Sequence, residues 1–235
     1  MATRREDFSK HPLDQALEAI EAGNKDQALA CARQVWECFR PLHDLYGDYV
    51  ASLLTFISTT FGEPFVEQAN RYVGEEVWKP LIMSLKEKGP AALAGVFASF
   101  LRAHGYDFTC DEDEEKFVFV SHFCPTGGRM KKEGKEDTSD RHAFNFGTTR
   151  NPYSWSFNQA GISYYCTHCA LFMDTLPREW GWDVIRTVYG RQFDDLGNPV
   201  DEPCVITIFK NPGMQRDFGI DPNQDAVATT HSASP

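Results

Sequence analysis

Apolar residues recur at three- and four-residue spacing as far as Gly105 and at two-residue spacing beyond it. A helix buries one stripe per 3.6 residues and a strand buries every second side chain, so the switch separates a helical part from a sheet-bearing part. The pattern predicts an α+β chain. Residues 1–105 form a helical region, 106–219 an α+β region, and 220–235 a tail too polar to order; the first two pack as one compact unit.

Proline and glycine punctuate the helical region. Asp14 to Ala22 reads as a helix stopped by Gly23, and a second runs from Asp26 to about Arg40 with Ala28, Leu29, Val35, Trp36 and Phe39 along one stripe. Pro41 is expected to interrupt or kink it. A third helix spans Leu42 to Phe61 and stops at Gly62. Pro64 suits the first turn of the next, which continues toward Lys88 with a kink near Pro80. Pro90 opens another, running to Arg102–His104 and closed by Gly105.

Beyond Gly105, Tyr106–Cys110 and Lys116–Ser121 read as strands around an acidic turn, Asp111–Glu115, whose spacing does not suit calcium. Pro125 to Thr149 reads as a long polar loop. Ile162–Tyr165 reads as a strand leading into a helix over Cys166–Leu176. Val184–Tyr189 and Cys204–Phe209 read as further strands, joined through Leu196–Pro199. Tyr153, Trp155 and Phe157 alternate as they would on one strand face.

Composition excludes several classes of partner. The net charge is −11 and basic residues cluster only at Arg129, Lys131, Lys132 and Lys135, which argues against nucleic acid and anionic membranes. The best apolar run, Val50–Phe61, has 12 residues and contains Ser52, Thr55 and Ser58; a bilayer span needs about 20, so it reads as a buried helix. The N-terminus has no apolar stretch of the signal-peptide kind. A cytoplasmic, reducing setting follows, in which cysteine pairs serve metal or redox chemistry more often than structural bridges. Cys31, Cys38, Cys110 and Cys204 read first as small core residues.

Two segments carry chemistry: Ser121-His-Phe-Cys124-Pro-Thr-Gly127-Gly128-Arg129 and Tyr164-Tyr165-Cys166-Thr-His168-Cys169. A Cys-x-x-Cys at a helix start can place two thiolates on one tetrahedral ion, and Cys124, just past a strand end, supplies a third. The metal expected is zinc, with iron also acceptable to such ligands. The fourth position is open to His122, His168, His142, Cys204 or water, with His122 preferred because it shares a strand face with Cys124. Four protein ligands make a structural site, and a water in the fourth place makes a catalytic one. His168 and His43 are candidates to move protons, and Arg129 beside its glycines is a candidate to hold an anionic group. For His43 and His104 a purely structural role competes.

In its last hundred or so residues the chain weakly resembles two related groups, on Cys124-Pro125, Cys166-Thr-His-Cys169 and Glu202-Pro-Cys204-Val-Ile-Thr-Ile. These are the L-2-amino-thiazoline-4-carboxylate hydrolase-like proteins and the V4R small-molecule-binding domains. The resemblance implies either hydrolysis or a structural zinc beside a hydrophobic pocket. The function expected first is a metal-dependent hydrolase or lyase acting on a small carboxylated molecule. A non-catalytic small-molecule-binding or sensory domain comes second, and a thiol redox protein third.

Overall fold

The computed structural model describes residues 9–136 and 140–213; the tail expected at 220–235 lies outside them. Contacts divide the chain into two units, residues 1–47 and 48–235, and not at the change of periodicity near Gly105. The reason is that the helices just before Gly105 share a core with the sheet that follows.

In the first unit, α1 (Pro12–Glu21) begins with Pro12 in its first turn and the His11 ring accepting the Leu13 amide at 3.2 Å. It ends at Ala22, where Gly23 turns the chain into α2 (Lys25–Phe61). Ala16, Ala19, Ala28 and Cys31 are buried there, whereas Cys38 is exposed and is not the core residue expected. Helix α2 runs through Pro41 without the predicted interruption. A proline inside a helix costs about 3 kcal/mol, which the hydrogen bonds of a 37-residue helix offset.

In the second unit, α3 (Glu63–Val73) carries Pro64 in its first turn. One wide π-helical turn, Gly74–Trp78, then leads into α4 (Lys79–Lys86). The kink expected near Pro80 takes this form, because proline brings no N–H to close a normal turn. Helix α5 (Pro90–His104) ends as predicted at a left-handed Gly105.

Four antiparallel strands follow: β1 (Asp107–Glu112), β2 (Lys116–Phe123), β3 (Ile185–Val188) and β4 (Cys204–Phe209), in the order β1-β2-β4-β3. Along β2, Phe117, Phe119 and Ser121 are buried in alternation. Their face joins one core with Ile82, Leu93, Phe97, Val184 and Ile208. Burying a Phe or Leu side chain contributes about 1.5–3 kcal/mol, so this layer of helices on a sheet is the main source of stability here. Cys110 on edge strand β1 is exposed, again not core.

A helix, α6 (Gly127–Glu133), lies inside the segment expected to be loop. The strand expected at Ile162–Tyr165 reduces to a single bridge, Thr148 to Ser163. Helix α7 (Thr167–Ala170) passes through a π turn (Leu171–Thr175) into α8 (Leu176–Glu179). The π turn has a cause in sequence. Pro177 offers no N–H to the Met173 carbonyl, which accepts the Thr187 hydroxyl at 2.8 Å instead. Tyr153, Trp155 and Phe157 do not share a strand face: a short 3₁₀ turn, Ser154–Ser156, intervenes, and Phe157 has φ +57°.

A second core cluster contains Leu54, Val66, Trp155, Tyr164, Leu171 and Leu176. Beside it the buried Glu63 carboxylate accepts the Tyr153 hydroxyl at 2.8 Å, the Tyr164 hydroxyl at 2.9 Å and the Arg150 amide at 2.6 Å. Burial, first of all, pushes the Tyr164 phenol up to about 12. Removing a donor from a buried carboxylate leaves an unmet desolvation cost. Tyr164→Phe should therefore lower stability by about 1–3 kcal/mol, read from urea unfolding; no change would show that the carboxylate finds another donor.

Candidate functional site

The sheet register sets the site. Ser121 on β2 stands opposite Cys204 on β4, and Ile206 pairs on its other side with Thr187 of β3. Cys124 follows β2 directly. These residues form one wall of a cavity in the second unit, and Cys166 and Cys169 of the α7 segment form another. Tyr106, Phe157, Met173, Tyr189 and Phe193 complete its largely apolar surface. The space between these side chains, open mouth included, is about 690 Å³.

Two glycines and a glutamine shape the turn that carries Cys124. Gln192 accepts the Cys124 amide at 2.8 Å and donates to the Ser121 carbonyl at 2.6 Å, fixing the chain as it leaves the strand. A side chain on Gly128 would meet the Gln192 amide oxygen at 2.4 Å, and one on Gly127 would meet the Cys166 sulfur at 2.3 Å. The Gly127-Gly128 pair thus admits two side chains to close contact with backbone. Cys124 Sγ lies 3.1 Å from the Tyr106 hydroxyl and 3.2 Å from that of Thr126. Cys204 Sγ accepts the Gly190 N–H at 3.3 Å.

Burial favours the neutral forms of several cavity groups. Burial, reinforced by the neighbouring cysteines, pushes the Cys166 and Cys169 thiols well above their ordinary range. Burial pushes Cys204 up to about 11. The Tyr106, Tyr165 and Tyr189 phenols move the same way, chiefly through desolvation. A charge in so dry a place has no water to solvate it.

The expected ligands are thus only partly gathered. Cys124, Cys166 and Cys169 face one cavity, joined by Cys204, which the sequence treats as a core residue first and a fourth ligand second. The thiol set suits zinc or iron chemically. Among the described residues, however, no three His, Cys, Asp or Glu side chains stand close enough to share one ion. His122 is exposed and lies away from the cavity wall. The strand ends at Phe123, so Cys124 does not continue the alternation that would have put it on the His122 face.

The remaining candidates are engaged elsewhere. Arg129 is buried: its guanidinium donates to Asp48 at 2.6 Å, to Glu133 at 2.8 Å and to the Pro125 carbonyl at 3.1 Å. Its fork is occupied by the fold itself. Burial, the largest effect, lowers the His168 pKa, while its Nδ1 contact with the Tyr165 carbonyl acts the other way. Its Nε2 lies 3.5 Å from Cys169 Sγ. His43 belongs to the first unit, with Nδ1 3.1 Å from Asp44. His142 is exposed and accepts the Phe144 amide, and His104 ends α5 against the Tyr106 ring. Tyr106, Tyr189, Met173 and Gln192 carry no motif; only the sheet register brings them to the cysteines.

No family model, curated protein or solved structure matches this chain. No helix among the described residues is long and apolar enough to cross a membrane.

Two predictions follow from this geometry. Gly127→Ala should destabilise the protein by about 1–3 kcal/mol through overpacking, and Cys166→Ala should relieve most of that in the double variant. Additive losses in chemical denaturation would show that the two residues do not meet. Glu136 beside the cavity, with Lys131 3.4 Å away, is raised from 4.5 to about 7 by burial. The native state therefore holds this proton more tightly than the unfolded chain, and stability falls as pH rises from about 4.5 to 7. Glu136→Gln should gain on the wild type across that window, by up to about 3 kcal/mol above it, in melts at pH 4.5 and 8. A constant difference would refute the shift.

Proposed function

We propose that the second unit binds a small, mainly apolar molecule in the thiol-lined cavity. The observation that carries this reading is the cavity itself. Its surface is mainly apolar and includes aromatic and aliphatic side chains, and burial favours the neutral forms of Cys166, Cys169, Cys204, Tyr106 and Tyr189 that line it. The V4R-like resemblance points the same way.

The reading is preferred over hydrolysis of a carboxylated substrate for a geometric reason. Arg129, the expected anion holder, is enclosed by Asp48 and Glu133, and the one ammonium in the wall, Lys131, pairs with Asp195 at 2.7 Å. It is preferred over thiol redox chemistry because a reactive Cys-x-x-Cys needs a lowered thiol pKa, and Cys166 and Cys169 move the opposite way.

Indole and indole-3-carboxylate test the reading by isothermal titration calorimetry. Indole should bind at least tenfold more tightly than its carboxylate, and Met173→Trp, which enlarges a side chain of the cavity wall, should abolish binding while the fold persists by circular dichroism. Preference for the carboxylate, or indole binding that survives Met173→Trp, would overturn it.

A further inference from the structure

Four of the seven cysteines face one cavity, yet among the described residues no three metal-binding side chains stand at single-ion distance. Each of the four comes with its own backbone support. Cys124 leaves the end of β2 under the Gln192 clamp, and Cys204 opens β4 beside Ser121. Cys166 precedes the first residue of α7 and Cys169 lies within it, three residues on. A single zinc draws its sulfurs to about 2.3 Å from one centre, so they must crowd around a point. These sulfurs instead line one largely apolar cavity without closing to single-ion spacing among the described residues.

The geometry points to an iron–sulfur cluster held by Cys124, Cys166, Cys169 and Cys204. Such clusters are bound by four cysteine thiolates and are larger than an ion, which matches donors spread over several elements around a space. Polar hydrogens stand close to two of the sulfurs. The Gly190 N–H donates to Cys204, and the Tyr106 and Thr126 hydroxyls lie 3.1 and 3.2 Å from Cys124 Sγ, within reach of a thiolate there. Gly127 and Gly128 line the cavity without side chains beside Cys166 and Cys124, and Gly127 in particular lets the Cys166 sulfur lie against backbone. The apolar remainder, with Phe157, Tyr189 and Phe193, would shield the cluster from water and oxygen. The inference rests on the reading of this cavity as a binding site and assigns its thiol-lined part to the cluster.

The test is anaerobic reconstitution of the full chain with ferrous iron and sulfide, followed by iron and acid-labile sulfide analysis and visible spectroscopy. The wild type should hold iron and sulfide in equal amounts with broad visible absorption. Cys124→Ser and Cys204→Ser should lose at least fivefold of both, and Cys38→Ser and Cys110→Ser should lose neither. The wild-type iron-to-sulfide ratio decides the matter even where a serine variant fails to fold. Stoichiometric zinc without sulfide, a Cys166–Cys169 disulfide, or four alkylatable thiols after reconstitution would each overturn the inference. Indole titration separates the two claims. Protein that binds indole but takes up no iron sinks the cluster alone, and protein that takes up iron and sulfide but not indole sinks the small-molecule reading alone.

Discussion

The cavity exists because β2 is buried on one face and released at its end. Phe117, Phe119 and Ser121 point into the helical layer in strict alternation, and the antiparallel ladder to β4 then fixes Cys204 against Ser121. A shift of one residue would turn all of these side chains to the opposite face. Gln192 holds the next turn by bonding both Ser121 and Cys124, so the chain departs from the sheet with its cysteine directed at the cavity and not along the strand. Position and chemistry here share one origin, the register of a single strand pair.

Much of this was legible in the amino acids. The helix stops at Gly23 and Gly105, the starts at Pro64 and Pro90, and strand β4 follow from local signals that tertiary packing had no reason to override. Pro41 and Pro177 show where local signals fall short. The first is absorbed within a long helix and the second produces a widened turn, because the outcome depends on whether another group takes up the orphaned carbonyl. At Met173 the Thr187 hydroxyl does so, and no reading of residues 171–177 alone would reveal it. Helix α6 was hidden for a related reason: its polar, glycine-rich sequence looks like loop until Arg129 and Lys135 are seen to meet Asp48 from a distant helix.

The site was legible in part. Cys-x-x-Cys with a remote Cys-Pro-x-Gly-Gly turn marked three of the four sulfurs. Proximity in sequence does not survive the end of a strand: His122 is exposed, whereas Ser121, its neighbour, lines the cavity. Arg129 illustrates a general ambiguity of an arginine beside glycines. The same fork that would clamp a carboxylate ligand satisfies two carboxylates of the fold, and burying it unpaired would cost several kcal/mol.

The account stands on four thiols from three segments sharing one chamber. The most direct check is cross-linking of reduced protein with dibromobimane, which bridges two nearby thiols, in variants that keep one chosen pair of cysteines, read by mass spectrometry. Cys124 should be bridged to Cys204 and to Cys169, while the exposed Cys38 and Cys110 are not bridged. Bridging confined to the Cys166 and Cys169 pair would contradict the shared cavity.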